Sequence, residues 1–161
     1  PNKQGLLHEN DVESLLAFRQ ILDETFADNL AEGAMASANN YRQQHPVFAP
    51  AQVLDGLDST YWATDDAVLP AELSLEFPEA RTFDRVVLQE PIQLGQRISS
   101  FRLEALVEGQ WQSLYEGTTI GYKRILRLEP VTATGLRLLV EQANNTVAIS
   151  KVAVYKASAQ E

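Results

Sequence analysis

The chain has 161 residues, 45% hydrophobic and 22% charged, which suits a single domain with a sizeable core. Its formal net charge of −9 argues against nucleic acid or an anionic membrane surface as partner, because both select basic patches. It has no cysteine, so neither a disulfide framework nor thiolate chemistry is open to it.

Residues 1–9 read as an irregular lead-in that opens on Pro1 rather than Met, as a fragment or processed product would, and no apolar run approaches the ~20 residues of a membrane span. Residues 10–32 are expected to form a helix. Asn10 can cap it, with Glu13 three residues on to close a capping box, and Gly33 is a natural stop. Acids near the start suit the positive end of the helix dipole, and residues 1–32 hold seven acids against only Lys3 and Arg19. Val12, Leu15, Leu16, Leu22, Phe26 and Leu30 form one stripe at ~100° per residue, expected to be buried at a gain of about 1.5–3 kcal/mol per side chain. Phe18 and Ile21 lie off that stripe and either pack under a local loop or dock on a neighbour outside this chain.

After Gly33 the apolar period becomes two. Residues 39–50 are the longest stretch without a pattern and hold Tyr41, Arg42, Gln43, Gln44 and His45. In the stretch 53–63, Asp55-Gly56 reads as a tight turn, since Gly accepts φ > 0 and Asp bonds its own backbone two residues on. Asp58, Ser59 and Thr60 add oxygen ligands, and Tyr61-Trp62 needs a core to bury against, as at the corner of a sandwich. Leu73, Leu75 and Phe77 alternate with polar residues, and residues 83–89 follow as a strand ending at Glu90-Pro91. Phe101, Leu103 and Ala105 form the next alternating run, and Glu108-Gly109 turns into a strand whose Trp111 is expected in the core, like Trp62. Leu126 and Leu128, then Leu136, Leu138 and Val140, then Val152 and Val154 complete the series, and the tail after Lys156 is expected to fray. Short alternating strands at this spacing indicate an antiparallel β-sandwich or jelly roll preceded by one amphipathic helix.

The sequence singles out no pair of carboxyl groups of the kind a glycosidase needs. His8 and His45, its two histidines, lie in the lead-in and in a loop without metal-ligand or triad spacing, and no phosphate-binding glycine loop is present. Arg97, after Gly95-Gln96, is read as structural, its guanidinium stapling loop carbonyls or an acid such as Glu90. Asn144-Asn145-Thr146 formally matches an N-glycosylation acceptor, a signal without meaning if the chain is bacterial.

Ala36-Ser37-Ala38-Asn39, followed by Asp55-Gly56 through Thr60 and Trp62, resembles the signature of discoidin-type β-sandwiches, the fold of many carbohydrate-binding modules. The order of parts extends the likeness. Residues 1–7, the stretches 11–18 and 26–34, Leu88 to Ile98 with Phe101, Gly117 to Arg124 and Leu136-Arg137-Leu138 are similar to the end of bacterial α-L-fucosidases. The resemblance therefore implies a lead-in and linker helix over residues 1–33 and a discoidin-like (coagulation factor 5/8 type C, galactose-binding-like) sandwich over 34–161, following an absent catalytic barrel. It implies a non-catalytic accessory domain of a secreted or periplasmic glycoside hydrolase, its partners being that barrel and a fucosylated or galactosylated glycan. In such modules end loops hold the sugar, and Tyr41, Arg42 and His45 supply suitable chemistry, though an ordinary loop or a barrel interface fits them as well. Many discoidin modules also hold calcium with the Asp-Gly loop and a Glu near the last strand. Asp55 and Asp58 match that loop, but Lys151 stands where the Glu would, where its ammonium can neutralise the carboxylates in place of an ion, so no cofactor is expected. Two further roles stay open: a purely structural brace for the barrel, and a protein-adhesion module, for which Val47 and Phe48 are the only apolar loop tips.

Overall fold

The computed structural model describes residues 8–157; residues 1–7 of the expected lead-in and residues 158–161 of the expected tail lie outside the described residues. The elements are α1 (Glu9–Thr25), β1 (Met35–Ala38), β2 (Trp62–Ala63), β3 (Ala71–Gln89), β4 (Ile98–Val107), β5 (Gln110–Gly117), β6 (Arg124–Ala143), β7 (Ala148–Ile149) and β8 (Lys151–Tyr155). All strand pairs are antiparallel. One path runs β1-β3-β6-β4-β5 with β8 also on β3, and β2 pairs with β7 apart from it.

Two long strands make the sandwich. The stretch of β3 from 71 to 76 carries β1 and meets 135–140 of β6, which in turn carries β4. The stretch from 85 to 88 meets 124–127 of β6 and carries β8. Register breaks between Glu76 and Arg81 and between Phe83 and Arg85 mark where β3 bends from one layer to the other. Leu73, Leu75 and Phe77 before the bend share one core cluster with Phe83, Val86 and Leu88 after it, and with Phe101, Leu136, Val152 and Val154. The expected alternation is thus realised, with the runs at 73–77 and 83–89 joined in a single strand.

Three expectations are corrected. The helix runs from Glu9 to Thr25, not 10–32, with His8 at its N-cap and Asn10 inside the first turn. It stops early because Asn29 Oδ1 accepts from Ala31 N and Val154 N, while Leu30 N donates to the Val154 carbonyl. These bonds to β8 demand a non-helical chain. The helix stripe is also not buried: Val12, Leu15, Leu16 and Leu22 are exposed, as are Phe18 and Ile21, while Phe26 meets Tyr155 edge-on and Leu30 packs against the core. Finally, Trp111 lies outside the core, 37% exposed, with the Arg137 guanidinium 4.2 Å above its ring. The two-residue turn at Glu108-Gly109, both at positive φ, pairs Trp111 with Leu106, which alternates outward from buried Ala105.

Candidate functional site

Trp62 is fully buried, and its indole N–H donates to the Asn40 carbonyl at 2.9 Å. Asn40 then pairs with Asp65 in both directions: its side-chain amide donates to Asp65 Oδ2 at 3.1 Å and its Oδ1 accepts from Asp65 N at 2.8 Å. Asp65 Oδ1 accepts from Gln43 N at 2.9 Å. The Gln43 backbone bond and then the Asn40 amide hold the Asp65 carboxyl below the usual carboxylate range. Gln43 and Gln44 both adopt the left-handed region, at φ 52° and 51°, a conformation that persists where surrounding bonds over-determine it. The buried Trp62 thereby fastens the loop after Asn39 to the chain after Trp62, and Arg42 is carried between them.

Arg42 Nη1 donates to Asp66 Oδ1 at 2.9 Å and to the Thr64 carbonyl at 3.4 Å. Thr146 Oγ1, from the turn before β7, donates to the same Asp66 oxygen at 2.9 Å. Arg42, then Thr146, keep the Asp66 carboxyl low, and Asp66 in return raises the Arg42 guanidinium. Around this pair opens a cleft of about 290 Å³, walled by Arg42, Phe48, Tyr61, Asp66, Arg97 and Thr146. Phe48 and Tyr61 pack against each other at 5.7 Å between ring centres. The cleft combines aromatic surface with a fork of guanidinium donors and an ionised acceptor, a set able to hold an apolar ring face and its hydroxyl edge.

The walls are held from behind. Arg97 donates from Nε to the Leu94 carbonyl at 3.3 Å and from Nη1 to the Thr146 carbonyl at 3.2 Å, the stapling read from the sequence. Glu90, 2% exposed, takes no part through that guanidinium; its carboxylate accepts from the backbone N–H groups of Arg97, Ile98 and Gly121 at 2.7–3.0 Å.

Of the three residues expected to hold sugar, Tyr41, Arg42 and His45, Arg42 lines the cleft. Tyr41 packs against the core. His45 sits beside Phe48, its Nδ1 accepting from Val47 N at 3.2 Å as the cap of a short 3₁₀ turn. Val47 is exposed, whereas Phe48 turns into the cleft. Asp55 spends both carboxylate oxygens inside its own loop, Oδ1 on Leu57 N at 2.8 Å and Oδ2 on the Thr60 hydroxyl, and Asp58 is exposed beside it. Among the described residues no group of three or more His, Cys, Asp or Glu is placed to hold a metal. Lys151 makes no ion pair with either aspartate; it lines a groove under α1 with Asp23, Phe26 and Tyr155, which corrects the neutralising role expected of it. The sequence reading missed Tyr61, Asp66 and Thr146 as partners. Their signal was the Asp65-Asp66 doublet following a Trp that must be buried, and the polar turn at 144–146.

The F5/8 type C domain model matches residues 34–154. Alpha-L-fucosidase 1 of Arabidopsis thaliana is 38% identical over 160 residues, which is 96% of this chain and 31% of that protein. A Ruminococcus gnavus GH29 fucosidase solved in complex with fucose superposes with a TM-score of 0.88 at 32% identity, covering 98% of this chain and 32% of that one. This chain therefore spans about a third of the length of these relatives. The family 32 carbohydrate-binding module from C. perfringens, solved with galactose, shares the fold at a TM-score of 0.71 and 19% identity, over 79% of this chain and 96% of its own. A match through both layers of the sandwich and the buried Trp62 corner settles the relationship: this chain belongs to the F5/8 type C domain family.

Proposed function

We propose that this domain is a non-catalytic, carbohydrate-binding accessory module of an α-L-fucosidase-like glycoside hydrolase, acting with that enzyme's catalytic domain on a fucosylated or galactosylated glycan in a periplasmic or secreted setting. The observation that carries the reading is the cleft in which Arg42, Asp66 and Arg97 meet the rings of Phe48 and Tyr61. A tethered site of this kind raises the effective concentration of the enzyme on its substrate. The non-catalytic part rests on the carboxyl groups. Glycoside hydrolysis needs one acid kept protonated, whereas Asp65 and Asp66, the acids beside the cleft, are both held ionised by hydrogen bonds. Titration of the domain with fucose- and galactose-terminated glycans tests it. Binding at about millimolar strength or better, lost in Tyr61→Ala, is expected; no binding to any glycan overturns it.

A second role, bracing the catalytic domain, is favoured by one observation: α1 leaves Leu15, Leu16 and Phe18 more than half exposed. A separately expressed catalytic domain should then co-elute with this one in gel filtration, and should cease to do so when α1 is removed. Separate elution of the two intact partners overturns the brace.

A further inference from the structure

We propose that the cleft is one of two subsites and that the domain takes an oligosaccharide of at least two rings rather than a single terminal sugar; this rests on the carbohydrate reading above. Asp66, Asn145 and Thr146 form a ridge that borders two clefts. On one side lies the cleft of Arg42, Arg97, Phe48 and Tyr61. On the other lies a cleft of about 330 Å³, whose lining includes Val68, Leu69 and Asn144. Its only charged wall is the shared Asp66, and Leu69 is 44% exposed. The first side thus offers guanidinium donors and aromatic faces, the second the aliphatic side chains of Val68 and Leu69 with the Asn144 amide. Two adjacent sugar rings, each with an apolar face and a hydroxyl edge, match the pair.

The ridge keeps polar valences free for such a ligand. Asp66 Oδ1 is occupied by Arg42 and Thr146, while Oδ2 has no hydrogen-bond partner among the described residues and the side chain is 79% exposed. Asn145 Oδ1 accepts from Thr146 N at 2.7 Å, and its amide N–H₂ has no partner among the described residues. The crest therefore presents an ionised acceptor and an amide donor side by side, the complement of hydroxyls flanking a glycosidic bond. The ridge is also fixed in place: the Thr146 carbonyl is held by Arg97, Asn144 N donates to the Arg97 carbonyl at 2.8 Å, and Thr64 N donates to the Val147 carbonyl at 3.0 Å. A site fixed before binding loses less freedom when the second ring is seated.

Titration calorimetry of this domain with methyl fucoside, methyl galactoside, lactose and fucosyl-galactose tests the inference. At least one disaccharide should bind about tenfold more tightly than its component monosaccharides. The double variant Asn144→Ala/Leu69→Ala, shown to be folded by its thermal melt, should lose that gain while holding monosaccharide affinity within about twofold. Monosaccharides bound as tightly as disaccharides overturn the two-subsite inference and leave the carbohydrate reading standing. A gain that survives the double variant, or a double variant that weakens monosaccharides equally, also overturns it. Binding of none of the four sugars overturns the inference together with the reading beneath it.

Discussion

The guanidinium of Arg97 donates to the Thr146 carbonyl at 3.2 Å, joining residues 49 apart in sequence. The same side chain reaches the Leu94 carbonyl, so one rigid fork spans two loops. A lysine keeps the charge but has a single nitrogen at its tip. Arg97→Lys should therefore lower unfolding free energy by about 1–3 kcal/mol and weaken glycan binding as the Thr146 wall loosens, measured by urea denaturation and by titration. Unchanged stability would show that the staple is not what holds the ridge.

Glu90 should be among the costliest positions to alter. Its buried carboxylate satisfies three backbone N–H groups, and truncation leaves all three without an acceptor. Glu90→Ala should lose more than about 3 kcal/mol in a denaturant titration. Glu90→Gln should lose less, because one amide oxygen still accepts.

Acid should act on the Asp66 junction in a definite direction. Its folded pKa lies below the ordinary value because Arg42 and then Thr146 donate to the ionised form. A depressed folded pKa contributes stability that is present above the unfolded value of about 3.9 and is lost as pH falls through the folded one. Melting temperatures taken downward from neutral pH should fall more steeply below about pH 4 for the wild type than for Asp66→Asn, the wild type being the more stable at neutral pH. Parallel curves would remove Asp66 from the linkage.

Gly117 sits opposite Phe101 in the β4–β5 pair, and an added Cβ there would lie 2.7 Å from the Phe101 ring and 2.8 Å from that of Tyr115. Those rings stack on each other at 6.0 Å, with Arg124 above both. Gly117→Ala should cost about 1–3 kcal/mol by over-packing, read in thermal or denaturant unfolding. A neutral result would mean that the Phe101 ring can swing aside.

The exposed face of α1 predicts a contrast. Leu16 and Phe18, 64% and 58% exposed, bury little surface in this domain, so Leu16→Ser/Phe18→Ser should change its stability by no more than about 0.5 kcal/mol per site. The same variant should abolish co-elution with a catalytic domain if α1 braces one. A large loss of stability in the isolated domain would show that these two side chains are buried after all.

The alternation of Leu73, Leu75 and Phe77, of Phe101, Leu103 and Ala105, and of Leu136, Leu138 and Val140 specified which faces turn inward, and all of these residues are buried. That much is local: successive strand side chains point to opposite sides whatever lies around them. Trp111 is expected in the core although Glu108-Gly109 reads as the turn; the two-residue register pairs it with outward Leu106 and so turns it out of the core. The end of α1 was not legible, because bonds from Asn29 and Leu30 to Val154, more than 120 residues away, override helix propensity. Nor was the cleft legible, beyond Arg42. Asp66, Arg97 and Thr146 come together only when three loops are brought to one end of the sandwich, and a sequence carries no local mark of which distant loops will meet. Periodicity is written residue by residue, whereas a binding site on loops is made by long-range pairing of the strands that carry them.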